Sequence, residues 1–203
     1  MTKSEVSIPS EETLRLAIKE EYGEVAAHPH KGFHFHTGQK VLDVHEYDPA
    51  LYQHLPEENK FPVAGTGNPF IAGAIHPGET VVDIGSGSGF DALIAASLVG
   101  AEGHVVGIDM TDEMLERARA GAKEMGYEHL EFKEAYMEDL PLPDEFADVI
   151  ISNGVLNLTL NKEKTLKEWY RVMKPGGRLQ FGDITLSRAV PESAMGNINL
   201  WTG

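Results

Sequence analysis

The residues with the clearest chemical character are a glycine loop and an acid that follows it. Asp83-Ile84-Gly85-Ser86-Gly87-Ser88-Gly89-Phe90 stands between a short apolar run, 80–84, and a longer one, 90–99. Glycines there let the chain turn sharply and let a ligand come close to the backbone. A helix beginning at Phe90 would offer its N-terminal amides and partial positive charge to that ligand. Asp109 closes the next apolar run, 24 residues after Gly85. A carboxylate at that place can accept both hydroxyls of a ribose. Each feature has a plainer reading, a tight turn for the glycines and a helix-capping acid beside Thr111 for Asp109. Their joint occurrence favours an adenosine-containing cofactor. The dinucleotide fingerprint G-x-G-x-x-G is not met, because Phe90 stands sixth. Phe90 crowds a pyrophosphate and Asp83 adds negative charge beside the loop. Both favour a smaller, cationic ligand, a sulfonium that carries an amino acid. A nicotinamide-dependent oxidoreductase is the rival enzyme on these residues.

A second concentration of chemistry is histidine. Six of the nine histidines lie between His28 and His54, densest in His28-Pro-His-Lys-Gly-Phe-His-Phe-His36. His34 and His36 share one face of an extended segment. The pattern suits a general base, a proton-responsive lid, a transition metal, or surface histidines. The surface reading is preferred and no metal is assigned. His34 and His36 are kept as candidate bases, for an acceptor that needs to lose a proton.

The elements that must position these residues follow from periodicity. Ser10 caps a helix over 10–27, with Glu11 and Glu12 in its first turn and Leu14, Ile18 and Val25 near one face. A turn-rich stretch, 56–77, leads to a regular alternation. Strands are predicted over 80–84, 104–109, 130–134, 147–152 and 178–186. Helices are predicted over 90–99, from a cap at Thr111 onward, and over 161–173, where Leu166, Trp169, Tyr170 and Met173 share a face. Strand alternating with helix demands parallel pairing with right-handed crossovers. The fold expected is α/β, a three-layer αβα doubly wound, Rossmann-like, mostly parallel sheet. Residues 1–78 read as an N-terminal helical and irregular lid, residues 79–203 as the domain that binds the cofactor.

Only 187–203 follow the fifth strand, room for one short helix begun by Pro191 and Glu192 and packed through Ile198, Leu200 and Trp201. Five parallel strands with the fifth at an edge would expose Phe181, Ile184 and Leu186. Either further strands are missing from this chain, or a homodimer covers the edge.

Composition narrows the partners. Lys and Arg number 17 against 32 Asp and Glu, a formal charge of -15. That surface repels phosphate and excludes a nucleic-acid reader. There is no cysteine, hence no disulfide, no thiolate nucleophile and no cysteine zinc site. The polar first residues lack a signal-peptide core, and no run is long enough to span a bilayer. A cytoplasmic protein with a small-molecule partner is expected.

Five segments carry a resemblance: Val81 to Gly89, Gly107-Ile-Asp-Met-Thr111, Leu140-Pro-Leu-Pro-Asp144, Asp148-Val-Ile-Ile-Ser-Asn153 and Val172-Met-Lys-Pro-Gly-Gly-Arg-Leu179. Together they resemble the class I S-adenosylmethionine (SAM)-dependent methyltransferases. Ile108 to Leu115 and Ile151 to Leu158 look most like the arsenite methyltransferase-like branch, and the resemblance extends over about residues 64–203, Gly65-Thr-Gly-Asn-Pro69 included. The resemblance implies S-adenosyl-L-methionine as cofactor and a role for each matched position. Asp83, Gly85 and Gly87 would surround the methionine end, and Ser86 and Gly89 of the same loop would also bind the cofactor. Asp109 would hold the ribose and Met110 would pack on the adenine. Met137 and Glu138 would meet the adenine amine, and Asn153 would stand at the mouth of the site, near Leu158, as a candidate catalytic residue beside His34 and His36. Tyr22, in Tyr22-Gly-Glu-Val-Ala26, is similar to a segment that closes over the cofactor. In that branch cysteines hold trivalent arsenic; one falls where this chain has Gly154, and another would fall just past Gly203. The expected function is methyl transfer to a small molecule, without efficient arsenite methylation. A SAM-binding regulator or inactive paralogue is the non-enzymatic alternative.

Overall fold

The computed structural model describes residues 8–190 and 196–201. Five strands form one sheet in the order β3-β2-β1-β4-β5. They are β1 (Thr80–Ile84), β2 (His104–Asp109), β3 (Leu130–Glu134), β4 (Ala147–Asn153) and β5 (Met173–Gly182). All four pairings are parallel. The chain builds one half outward from β1 to β3, then crosses back to place β4 on the other side of β1. That reversal creates a crevice at the C-terminal ends of β1 and β4, where open α/β sheets bind ligands.

Before the sheet come α1 (Glu11–Ala27), α2 (Gln39–Val44), α3 (Pro49–Tyr52) and α4 (Glu57–Lys60); within it lie α5 (Phe90–Val99), α6 (Asp112–Met125) and α7 (Lys162–Val172). Alternate residues of a strand face opposite sides, and the core divides accordingly. Val81, Val105, Val149 and Ile151 pack toward α5 and α6; Val82, Ile84, Val106, Ile108 and Ile150 pack toward Trp169 and Val172 of α7. The three expected layers are present. The apolar α5 is buried on its outer side as well, because Val41, Leu42, Tyr47 and Leu55 cover it. Within the described part of residues 1–78, α2 and the chain after it thicken the domain, and α1 lies against the cavity.

Ser10 accepts from the Thr13 amide and caps α1 as expected. Thr111 occupies the cap position of α6 but makes no side-chain bond to its amides. On α7 the expected common face is split. Trp169 is buried, whereas Leu166 is 40% and Tyr170 76% exposed. The fifth strand also differs from expectation. It begins at Met173, ahead of the predicted 178, and stops at Gly182, so Ile184 and Leu186 lie beyond it. Ala147 pairs with Met173 and Val149 with Arg178, so Lys174-Pro-Gly-Gly177 bulges out between them. β5 is an edge strand, and Phe181, Ile184 and Leu186 are exposed as expected. The expected C-terminal helix falls partly on Pro191 and Glu192, outside the described residues; a single 3-10 turn, Ile198–Leu200, is seen after them.

Candidate functional site

The ends of β3, β2, β1 and β4 stand side by side and lay out one cavity in that order. Its space is about 1080 Å³, part of it open to solvent. Met137 and Glu138 follow β3, Asp109 and Met110 end β2, the glycine loop follows β1, and Asn153 ends β4; all of these positions line it. α1 closes the side opposite the sheet with Leu14, Ile18 and Tyr22.

The glycine loop is held by the neighbouring strand. The N–H groups of Gly85 and Ser86 both donate to the carbonyl of Ile108, at 2.8 and 2.9 Å, and that of Gly89 donates to Ser86. The N–H of Gly87 donates to Asp109 Oδ2 at 2.8 Å. Four amides are thus satisfied within the protein and do not form the anion cradle that the helix N-terminus suggested. Gly85 is left-handed, at φ 74, and a Cβ there would run into Val155, so the position accepts only glycine without strain. Gly89 differs from its companions. It does not line the cavity; it allows the loop to pack on Ala118 and Phe132.

Asp109 serves two backbone groups at once, since Oδ1 accepts the Thr111 N–H at 2.8 Å. Burial pushes its pKa up, against the pull of these hydrogen bonds. The Thr111 hydroxyl and the Met110 N–H pull on this carboxylate as well, so ligand hydroxyls would share its acceptor positions with the protein. Tyr22 lies over this acid. Burial, and next the Asp109 charge, push its phenol up to about 12, so it stays a neutral donor.

Asp83 and Ser86 carry the unusual feature of the site. Asp83 Oδ2 and Ser86 Oγ are buried without a hydrogen-bond partner among the described residues, and both residues line the cavity. Buried polar atoms are rarely left so. Burial raises the Asp83 pKa well above the usual range, and the charges of Asp91 and Asp109 raise it further.

Asn153 is built in rather than free. Its Oδ1 accepts the N–H groups of Thr66 and Gly67 at 2.8 and 2.9 Å. Its Nδ2 donates to Tyr47 Oη at 2.9 Å, to Gly67 O at 3.0 Å and to Asp91 Oδ2 at 3.2 Å. Tyr47 in turn donates to Asp91 Oδ1 at 2.8 Å. Asn153 therefore pins the 65–67 loop and Asp91 against the end of β4. Glu138 is engaged as well: Oε1 accepts from Thr159 Oγ1 at 2.7 Å and Oε2 from Arg15 at 3.2 Å.

His34 and His36 do not reach the cavity. Phe33 and Phe35 turn inward onto Val25, Ala26 and Met114, which leaves both histidines exposed. Both side chains face solvent. Among the described residues no group of three or more His, Cys, Asp or Glu is placed to hold a metal.

Sequence reasoning missed Arg15, Tyr47 and Asp91. Asp91 reads as an ordinary first-turn acid of α5, and nothing local marks Tyr47, which arrives 44 residues away in sequence. The face of Leu14, Ile18 and Val25 is legible as a buried helix face; that Leu14 and Ile18 also wall the cavity, beside the Tyr22 that the resemblance places over the cofactor, is not.

A doubly wound parallel sheet with its cavity at the switch point, an acid after β2 and a glycine loop after β1 defines a nucleoside-cofactor domain. A sequence model described as a methyltransferase domain matches residues 75–201. The chain belongs to that methyltransferase-domain family. It is 42% identical over 139 residues to an arsenite methyltransferase of Halobacterium salinarum, covering 68% of this chain and 36% of that protein. To the human arsenite methyltransferase it is 38% identical over 130 residues, 60% of this chain and 35% of that one. The chain thus spans about a third of the length of these relatives. Among solved structures it is similar to an arsenic(III) S-adenosylmethionine methyltransferase from Chlamydomonas reinhardtii, with a TM-score of 0.69, 38% identity, and coverage of 74% of this chain and 53% of that one. It is also similar to a SAM-dependent methyltransferase from Aquifex aeolicus, with a TM-score of 0.54, 25% identity, and coverage of 76% and 78%. Among the described residues no helix is long and apolar enough to cross a membrane.

Proposed function

We propose that the protein is a SAM-dependent methyltransferase that acts on a small-molecule acceptor. One observation carries this reading. Four of the loop amides, those of Gly85, Ser86, Gly87 and Gly89, are already bonded within the protein, while Asp83 Oδ2 and Ser86 Oγ have no partner among the described residues. A buried carboxylate oxygen without a donor suits a cationic ligand that brings its own N–H groups, as the amino-acid end of S-adenosylmethionine does.

The residues present fit that cofactor along its length. Asp83 and Ser86 would hold the methionine end. Asp109 would accept from the ribose hydroxyls. Met110 and Met137, both packed with Leu158, would flank the adenine. Bound there, the cofactor supplies an electrophilic methyl group on sulfur. The protein's share is orientation and exclusion of water. Leu14, Ile18 and Tyr22 of α1 provide the apolar cover, and residues 1–78 act as a lid to that extent. The β4 side of the cavity, beside Gly65, Asn153 and Val155, is left for the acceptor. No histidine reaches it, so the acceptor is one that attacks without a histidine base. We also expect a second copy of the chain at the free edge of β5, which light scattering tests, and no nucleic-acid partner, given the charge of -15.

Calorimetric titration with SAM, S-adenosylhomocysteine (SAH) and NADH tests the cofactor, followed by a screen of methyl acceptors. Binding of SAM or SAH without NADH supports the reading. Binding of NADH alone replaces it with an oxidoreductase, and SAM binding with no acceptor turned over moves it to a SAM-binding regulator.

A further inference from the structure

Two local costs meet at one contact outside the cavity. Asn59 of α4 is buried, and its Oδ1 has no hydrogen-bond partner among the described residues. A buried acceptor left unpaired costs free energy. Facing it is Gly121, inside α6, where a Cβ would run into that same oxygen. A helix interior disfavours glycine relative to alanine, so α6 gives up helix stability to make room for Asn59. An apolar residue at 59 would avoid the first cost, and alanine at 121 the second. Exceptions of this kind to local rules gather at functional sites.

What the contact provides lies at the other end of the amide. Asn59 Nδ2 donates to the carbonyl of Ser88 at 2.6 Å and to that of Arg117 at 3.0 Å, and Ser88 Oγ donates back to the carbonyl of Asn59 at 2.8 Å. Ser88 is therefore bonded to Asn59 through both its carbonyl and its hydroxyl. The amides of Gly85, Ser86 and Gly87 are held from β2, by Ile108 and Asp109. The glycine loop is thus anchored twice, once from β2 and once from α4. Ser88 lines the cavity and Asn59 does not. α4 has a second tie to α6, because Arg117 pairs with Glu58 and also donates to its carbonyl.

We propose that Asn59 is a positioning residue, which acts through Ser88 to set the glycine loop for the amino-acid end of the cofactor. The inference rests on the methyltransferase reading and deepens it. The residues assigned to ribose and adenine, Asp109, Met110 and Met137, belong to β2 and to the chain after β3, so that half of the ligand does not depend on Ser88. Ser86, assigned to the amino acid, stands two residues from Ser88 in the same loop. Without the clamp the loop moves in the free protein, and the entropy of ordering it then opposes binding. The loss falls on the part of the ligand that meets the loop.

The test is calorimetry on the full chain with SAH and with methylthioadenosine, which keeps the base, the ribose and the sulfur but lacks the amino acid. Asn59→Ala should weaken SAH binding about tenfold or more, while methylthioadenosine changes less than about threefold. Gly121→Ala pushes the Asn59 amide aside without altering it. It should give the same split, even though alanine suits the helix better. Joining the two substitutions relieves the crowding, so the double variant should melt higher than Gly121→Ala yet keep the weakened SAH affinity. If Asn59→Ala does not fold, the two affinities of Gly121→Ala decide alone. Equal losses for both ligands, or no loss for either, would make Asn59 a packing residue and overturn the inference while the methyltransferase reading stands. Recovery of SAH affinity in the double variant would do the same. A wild type that binds neither ligand overturns the reading and the inference together.

Discussion

The Asp109 carboxylate accepts the backbone N–H of Gly87 at 2.8 Å, so the acid that ends β2 fixes the loop that leaves β1. The two features that the sequence offers separately are one mechanical unit. A ligand that meets Asp109 therefore meets a loop already locked in place, and the entropy of ordering it is spent in folding rather than in binding.

Replacing Asp109 by alanine should weaken SAM binding by about 1.5–3 kcal/mol, the scale of hydrogen bonds lost from a charged acceptor. It should also lower Tm, because the N–H groups of Gly87 and Thr111 lose their acceptor. Calorimetry beside thermal melting separates the two effects. Unchanged affinity in a folded variant would remove the ribose role.

The strands around this unit were legible because short continuous apolar runs beside glycines, alternating with helical stretches, leave few alternatives. Residues 80–84 and 104–109 appear where the sequence places them. Where the reading strayed, long-range contacts decided. Leu166 and Tyr170 have the right helical spacing for burial, yet α7 packs through Trp169 and Val172 instead. The histidines alternate with Phe33 and Phe35, and a two-residue period cannot say which set turns inward; the pocket beside Met114 takes the rings. The bond from Tyr47 to Asp91 joins a segment without regular pattern to a helix start. No local rule announces such a contact.

Asn153→Ala should act through scaffolding. The substitution strips the acceptor from the amides of Thr66 and Gly67 and removes the donor to Asp91. Leaving buried groups unpaired costs about 1–3 kcal/mol each before relaxation. A clear fall in the urea midpoint is expected, with SAM affinity reduced less than in Asp109→Ala. A variant as stable as the wild type would show that the 65–67 loop is held by something else.

Asp91 gives a pH dependence with a definite sign. Its pKa is about 6 in the folded protein and about 3.9 in an unfolded chain. The folded state then binds more protons between those values, and the contribution of Asp91 to stability falls as pH rises from about 4 through about 6. Asp83 is raised too and pulls the same way. Glu79 and Asp148, held low by Arg178 and Lys174, act oppositely and lose their contribution as pH falls. The comparison must therefore be a difference. Between pH 4 and 7, Asp91→Asn should gain on the wild type in urea midpoint as pH rises. A constant gap would show that Asp91 titrates as it does in water.

Arg15 ties α1 to the chain after β3 through Glu138, at 3.2 Å, and lies over the ring of Tyr136 at 4.0 Å. Glu138 is nearly buried, so Arg15→Gln should leave its charge with Thr159 and little else. α1 should then part from the cavity more often. Stopped-flow fluorescence should show faster cofactor dissociation, by severalfold, with little change in the association rate. An unchanged dissociation rate would mean that α1 is held by Leu14, Ile18 and Tyr22 alone.

Arsenite is the acceptor in the names of the curated relatives, and these 203 residues should not methylate it efficiently. Trivalent arsenic is soft and is held by thiolates. The chain has no cysteine, and the sulfur near the cavity is the thioether of Met110, Met114 and Met137. Thioethers carry no charge and bind far more weakly than thiolates. Nor would one thiol at Gly154 repair the site easily. That residue sits at φ 70, and a Cβ there would stand 3.1 Å from Thr66 Oγ1, so Gly154→Cys should strain the turn that follows β4 at a cost of about 1–3 kcal/mol. With SAM and glutathione, chromatography of arsenic species should show arsenite left unmethylated by the wild type, and Gly154→Cys should melt at a lower temperature without gaining activity. Efficient production of methylated arsenic by the wild type would show that glutathione alone can present the metalloid to this cavity, and that protein thiols are dispensable for the acceptor.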